Sequence, residues 1–311
     1  MPYANPHYLV EPQWLAAHLD DPDLRIIDVS GCLTSKLENT ARERVYERGH
    51  IPGAIFLDVA SAHGEFSDPG SALPWMWPSQ PQFEALMARL GIGNDSCVIL
   101  YASTQRQGID NGPMWCTRAW WVMHHFGVDC AVLNGSWERW RAEGLPVSTV
   151  AATHAPARFV AAPHWRRALA DRHDVLAAIR MPKGSTCVVD ALSERSFEGR
   201  ERFTYGPRKG HISGAINLPM RDLVDLDTGV FVGADMMRER FERAGVLSAE
   251  KVITYCGGAI AATVDAFALA LLGYTEVSVY DGSLFEWAAD PALPMTDPSG
   301  APTTADDPLG P

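Results

Sequence analysis

Six short runs of apolar, largely β-branched residues recur along the chain: LRIIDV at 24–29, VILY at 98–101, AVL at 131–133, CVVD at 187–190, VITY at 252–255 and VSVY at 277–280. They are continuous rather than alternating in hydrophobicity, the pattern of strands buried on both faces, as in a parallel sheet. Between them the period lengthens. Phe83, Leu86, Met87 and Leu90 mark a helical face that stops at Gly91, a second helix runs over 236–244 and stops at Gly245, and ATVDAFALALLG ends a third at Gly273. Strand followed by helix, repeated, predicts an α/β fold of mainly parallel sheet flanked by helices.

The same order of elements occurs twice. GHIPGAIFLD (49–58) returns as GHISGAINLP (210–219), VILYA (98–102) as VITYC (252–256), and LNGSWERW (133–140) as YDGSLFEW (280–287), the offset drifting from 161 to 147 residues. Two copies of one domain with different loop lengths account for this, since chance similarity does not keep the order. The chain then divides into a first domain at 1–147, a linker at 148–163, a second domain at 164–298 and a tail at 299–311 expected to be flexible. The linker is rich in Ala, Thr and Pro and has no periodicity.

Composition adds mainly exclusions. The 311 residues suit two domains of roughly 150 residues each, and 47% hydrophobic residues supply a sizeable core. A formal net charge of −12 without any basic block argues against a nucleic-acid partner or a polybasic membrane patch, so an anionic substrate must be met by local positive groups. The opening MPYANPHYLVEPQW lacks the regions of a secretory signal, and the most apolar stretch, at 259–272, is too short to span a bilayer and is interrupted by Asp265. No membrane association and a cytoplasmic location are expected. The six cysteines, Cys32, Cys97, Cys116, Cys130, Cys187 and Cys256, form no C-x-x-C pair and no metal-type spacing, so neither a disulfide framework nor a metal site is expected.

One cysteine stands apart. VITY is followed by Cys256, Gly257, Gly258, Ala259, Ile260 and Ala261 and then by a helical pattern, whereas the first copy has Ala102 in the cysteine's place and a longer loop, STQRQGIDNGPMWC. A tight turn of small residues between strand and helix lets successive backbone N–H groups converge on one atom, with the positive end of the helix behind them. For a cysteine at the mouth of the turn that atom is its own sulfur, so a lowered thiol pKa and a nucleophilic Cys256 are expected. Cys97, Cys116, Cys130 and Cys187 read as small buried hydrophobes.

Together, GHIPGA and GHISGA, the strand and loop at Cys256, and DGS-x-x-EW at 281–287 resemble the tandem rhodanese-type sulfurtransferases, which include thiosulfate and 3-mercaptopyruvate sulfurtransferases. The resemblance covers about 14–294 and implies two rhodanese-like domains, the first catalytically inert. In the second, Cys256 would take a sulfane sulfur from a small anionic donor as a persulfide. It would pass the sulfur to a thiol, to cyanide or to a thioredoxin-like protein, with no metal or organic cofactor. The loop is mixed between the two donor classes. Thiosulfate enzymes carry a basic residue after the cysteine, where Gly257 stands; mercaptopyruvate enzymes read C-G-[ST]-G-V-T, and this chain has Gly258, Ala259 and Ala261 at the third, fourth and sixth positions.

Family position places Asp58 behind the reacting groups, with Ala60 where an acidic residue would act, and Ser196 where an arginine would hold a keto acid's carboxylate. Arg195 is adjacent, and Arg202 and Arg208 follow in GRERFTYGPRKGH. Guanidinium binds carboxylates and sulfur oxyanions through paired hydrogen bonds, so Arg208, Arg202 and Arg195 are candidate donor-binding residues. The competing reading is a solvated loop neutralised by Glu194, Glu198 and Glu201. His50 and His211 recur in both copies although only one has the reactive cysteine, which points to structural roles. The Trp-rich PWMWPSQ (74–80) reads as packing or as one wall of a cleft. A cysteine phosphatase or arsenate reductase would need C-x5-R, and Ala262 occupies the arginine's place. The remaining alternative is a non-catalytic rhodanese-fold binding or regulatory module.

Overall fold

The computed structural model describes residues 2–104, 112–162, 168–182, 184–203 and 205–297. The tail at 299–311 and residues 105–111 of the long first-copy loop lie outside the described residues. Two units are present: Asn5–Arg166 with Val224–Phe231, and Met1–Ala4 with Arg167–Leu223 and Val232–Pro311.

The unit built on the first copy contains β1 (Leu9–Val10), α1 (Pro12–Ala17), β2 (Leu24–Asp28), α2 (Ala41–Arg44), β3 (Ala54–Phe56), α3 (Gln80–Arg89), β4 (Cys97–Tyr101), α4 (Gly112–His125), β5 (Asp129–Leu133) and α5 (Trp137–Ala142). Its five strands pair in parallel in the order β1-β5-β4-β2-β3. β2 and β4 are almost wholly buried, which explains their unbroken apolar character. A capping box of Ser79 and Gln82 starts α3, and Gly91, at φ +71°, follows its end in the left-handed conformation that a side chain resists.

The second unit repeats the plan with β6 (Leu169–Ala170), α6 (Arg172–Ala178), β7 (Thr186–Asp190), α7 (Glu194–Phe197), β8 (His211–Ile212), β9 (Ile216–Asn217), α8 (Ala234–Arg243), β10 (Lys251–Tyr255), α9 (Ala262–Leu271), β11 (Val277–Tyr280), α10 (Ser283–Trp287) and β12 (Met295–Thr296). The parallel order β6-β11-β10-β7-β9 matches the first sheet position for position. β8 and β12 form a small antiparallel pair, and the first copy keeps this as a single bridge between His50 and Ser148. Every residue of α9 is buried, so this helix, apolar all round apart from Thr263 and Asp265, is a core element.

Each unit includes a piece of chain from beyond its own copy. Val224–Phe231 belongs to the first unit, where the Thr104 hydroxyl donates to Asp227 O (3.0 Å) and Phe231 N–H to Asn134 Oδ1 (3.1 Å). Met1–Ala4 belongs to the second, with Ala4 N–H donating to Leu271 O (2.9 Å) and the Tyr3 hydroxyl to Val232 O (2.5 Å). The segment expected to link the copies has no regular structure over 149–162, but it is fastened to the first unit: Ala157 N–H donates to Ala88 O (2.9 Å), Ala162 N–H to Phe126 O (3.0 Å), and Phe159 is buried against Phe83.

Candidate active site

β10 ends at Tyr255 and α9 begins at Ala262, so Cys256 and the five residues after it, all small except Ile260, form the whole connection. All are buried, Cys256 to 2% exposure. Burial is the largest influence on the Cys256 thiol and raises its pKa; the backbone N–H groups of Ala262, Gly258 and Ile260 work against it by favouring the thiolate, as the turn predicts, and Asp190 adds to the rise. The net effect holds the thiol above its ordinary pKa. The expectation of a lowered pKa is therefore corrected: the turn supplies the anion cradle, and desolvation wins in the resting protein.

Two features outside the loop fix it. The Ser283 hydroxyl accepts from Cys256 N–H (3.2 Å) and Ala259 N–H (3.1 Å) and donates to Tyr280 O (2.7 Å). Leu284 N–H donates to Cys256 O (3.1 Å) and Phe285 N–H to Gly257 O (2.9 Å). Ser283 itself is held at φ +47° and Ala259 at +59°, a conformation costly for residues with a Cβ and sustained by these bonds. The Tyr205 ring covers Gly257, and its phenol is held well above the ordinary value by burial and by Cys256.

Behind the loop lie two buried acids. Asp190 ends β7; its Oδ1 accepts from Leu192 N–H (2.9 Å), and burial pushes its carboxyl up to about 7 despite that bond and the Tyr255 hydroxyl. Asp265 in α9 is fully buried, neither carboxyl oxygen has a hydrogen-bond partner among the described residues, and burial followed by Asp190 and Asp222 raises it well above the usual range. A carboxyl that is harder to ionise in the folded than in the unfolded state costs stability as pH climbs from about 4, the unfolded value, towards the folded one. Asp265→Ala is expected to stabilise the protein by about 1–2 kcal/mol at pH 7 and by less at pH 4. Denaturant unfolding at both pH values checks this, and a variant less stable than the parent at pH 7 would contradict it.

The predicted basic residues are dispersed. Arg208, expected to clamp the donor, is held within its own unit: its guanidinium donates to Ala288 O (3.1 Å), Leu293 O (2.6 Å), Trp287 O (2.5 Å) and Asp290 O (2.5 Å), the carbonyls at and beyond the end of α10. Arg195 is exposed and pairs with Glu201 (3.4 Å), and Arg200 pairs with Glu198, as the solvated-loop reading expects. Arg202 is exposed, with no ion-pair partner among the described residues. Asp58 lies in the first-copy unit, where its Oδ1 accepts from Asn39 Nδ2 (3.0 Å) and Ser61 N–H (3.0 Å). His50 stacks on Tyr46 and bonds Tyr46 O (2.8 Å), while His211 stacks on Phe197 and bonds Phe197 O (2.8 Å). Both occupy structural positions. Trp75 and Trp77 are buried.

Comparison of the copies shows what replaces the cysteine loop. Trp137 N–H donates to Ala102 O (3.0 Å), as Leu284 does to Cys256 O, but the Glu138 carboxylate accepts from the Ser103 hydroxyl (2.5 Å) and from Thr104 N–H (2.8 Å). The N–H two places after the cysteine position, which favours the Cys256 thiolate in one copy, holds an internal carboxylate in the other. Ser283, Tyr205 and Asp190 are site residues that the sequence does not single out. The available signals are the repeated DGS and NGS triplets and the aspartate that ends both β2 and β7.

Among the described residues no group of three or more His, Cys, Asp and Glu is placed to hold a metal, and no helix is long and apolar enough to cross a membrane. The rhodanese-like domain family model matches residues 11–143 and 173–290. The sulfur carrier protein TtuD of Thermus thermophilus is 32% identical over 306 residues, covering 95% of this chain and 98% of that protein. The 3-mercaptopyruvate sulfurtransferase of Escherichia coli K12 is 33% identical over 292 residues, covering 93% and 97%. The crystal structure of SseA from Escherichia coli, a 3-mercaptopyruvate sulfotransferase with the rhodanese fold, superposes with a TM-score of 0.75 at 32% identity, covering 89% of this chain and 98% of that one.

Proposed function

The chain belongs to the rhodanese family, and from that premise we propose that it is a sulfurtransferase working through a persulfide on Cys256. The observation that carries this reading is the place of Cys256, buried at the head of the short strand-to-helix turn between β10 and α9, whose Ala262, Gly258 and Ile260 N–H groups favour its thiolate. Fixed donors in a dry loop stabilise an anion there without having to reorganise. The Cys256 thiolate attacks the outer sulfur of thiosulfate, breaking its S–S bond and releasing sulfite, or the thiol sulfur of 3-mercaptopyruvate, breaking its C–S bond and releasing pyruvate once the donor thiol's proton reaches the carbon. The new S–S bond leaves a persulfide in the cradle, and a thiol, cyanide or a thioredoxin-like protein removes the terminal sulfur. Arg202 and Arg195, exposed in the second unit, supply positive charge for an approaching anion, and Asp58 orders its own loop. The first copy, with Ala102 in place of the nucleophile and the Glu138 carboxylate on the N–H that follows it by two places, is catalytically inert. The cytoplasm, where thiols are kept reduced, suits this chemistry.

Mass spectrometry after exposure to either donor tests the proposal: one sulfur added to the Cys256 peptide and removed by cyanide is expected. No added sulfur with any sulfane donor would leave a binding or regulatory module. The raised thiol pKa carries a second expectation. Because only the thiolate reacts, alkylation of Cys256 by iodoacetamide should still be accelerating at pH 9, the ordinary thiol value. A rate that levels off below pH 7 would contradict burial as the dominant influence.

A further inference from the structure

The Ala262, Gly258 and Ile260 N–H groups serve the sulfur of Cys256 itself. A persulfide anion carries its charge one S–S bond further out, about 2 Å away, and that outer sulfur needs a donor of its own. The loop has no side chain to offer, since residues 257–261 are glycine, alanine and isoleucine. The hydroxyls packed around it are committed elsewhere. Thr254 donates to Ala262 O (2.9 Å), Thr263 to Ile260 O (2.7 Å), Ser283 to Tyr280 O (2.7 Å), and Tyr255 bonds the Asp190 carboxyl. Tyr205 is different: among the described residues its hydroxyl has no hydrogen-bond partner.

The phenol is also in the right place. A Cβ built on Gly257 would lie 1.9 Å from Tyr205 Cε1 and 2.5 Å from Cζ, the carbon that bears the hydroxyl, so the polar end of the ring stands beside the residue that follows the nucleophile. The ring is steadied there. It meets Phe203 edge-on (5.1 Å, 88°) and Phe285 edge-on (5.5 Å, 87°), and Phe285 is tied to the loop by its N–H bond to Gly257 O (2.9 Å). Burial first, and then Cys256, hold the phenol well above its ordinary value, so it keeps its proton and acts as a donor rather than a base. The inert copy lacks the group: six residues before its histidine, where the second copy has Tyr205, stands an exposed Arg44.

We propose that Tyr205 is a catalytic residue of sulfur discharge, its hydroxyl donating a hydrogen bond to the outer sulfur of the Cys256 persulfide. The inference rests on the sulfurtransferase reading and deepens it. When cyanide attacks, its carbon forms a bond to the outer sulfur and the S–S bond breaks. The electron pair of that bond returns to the Cys256 sulfur as a thiolate, and thiocyanate leaves. A thiolate acceptor reacts in the same way and leaves as a new persulfide. Either nucleophile brings a second negative charge onto the outer sulfur, and a fixed O–H donor offsets it without giving up its proton.

The test loads the full-length parent and Tyr205→Phe with sulfur from thiosulfate or 3-mercaptopyruvate, removes the donor, and follows thiocyanate in a single turnover with cyanide. Phenylalanine keeps the ring against Phe203, Phe285 and Gly257, and rates are compared at a temperature where both proteins are fully folded. Cys256 of the variant should still take up one sulfur. Its discharge should be slower by on the order of ten- to a hundredfold, the scale for one hydrogen bond lost from a charged acceptor. Ultraviolet absorption of the persulfide anion gives a readout that a packing role would not move: the anion should form at higher pH in the variant, having lost a donor. Asp190 and Tyr255, the titratable groups that face Cys256 from β7 and β10, are the same in both proteins. Equal discharge rates, or slowed discharge with an unmoved titration, would overturn the proposal. A parent that takes up no sulfur would sink the sulfurtransferase reading with it, whereas a loaded parent matched by the variant in both measurements would sink Tyr205 alone.

Discussion

Cys256→Ser should reduce sulfur transfer on the order of 10⁴-fold or more, the scale seen when a covalent nucleophile is removed, while any of the other five cysteines can be replaced with most activity retained. Serine fits the loop and can accept the same N–H groups, so the fold and the cradle survive. What is lost is chemical: a hydroxyl is far less acidic than a thiol and forms no labile bond to sulfane sulfur. Cys116 and Cys130 are fully buried with thiols held well above their ordinary values by desolvation, and Cys187 is pushed up to about 11. None of these three stands at a strand-to-helix turn of the kind that follows Cys256. A thermal midpoint equal to the parent's would separate lost chemistry from unfolding. Substantial turnover by the serine variant, or added sulfur on the Cys116 or Cys187 peptide, would refute the assignment.

The central strands were legible because they are hidden on both faces: VILY and VITY lie inside β4 and β10 with only one residue to add at the front. The sheet edges were not. β1, β6 and β9 span two residues each and β3 three, too few for any period to show. The nucleophile's loop could be read from its residue types, since only small side chains make so tight a strand-to-helix turn. Its thiol pKa could not, because the balance between cradle and burial depends on depth, a tertiary property. Ser283 shows the same limit. Ser136, its counterpart, is an ordinary helix cap whose hydroxyl accepts from Arg139 N–H (3.3 Å). The DGS and NGS triplets look alike in sequence, yet only Ser283, at φ +47°, turns its hydroxyl onto a loop 24 to 27 residues away.

Arg208→Ala should destabilise the second unit by about 2–4 kcal/mol, the range for losing several charge-assisted hydrogen bonds from a half-buried group, with little change in KM for the sulfur donor. The carbonyls of Trp287, Ala288, Asp290 and Leu293 follow the last turn of α10, where helix ends leave acceptors unpaired and the dipole favours a cation. One planar guanidinium answers all four, and lysine, with a single ammonium group, cannot reproduce that fan. Arg208→Lys should therefore recover only part of the loss. The partners are backbone atoms some eighty residues downstream, and for that reason a basic cluster before GHISGA reads in sequence as an anion clamp. The discriminating measurement pairs the unfolding free energy with donor kinetics on the folded variant at low temperature. A stable protein with a strongly raised KM would restore Arg208 to donor binding, while lost stability with a preserved KM assigns it to holding α10 and, through the Leu284 and Phe285 N–H bonds, the Cys256 loop in place.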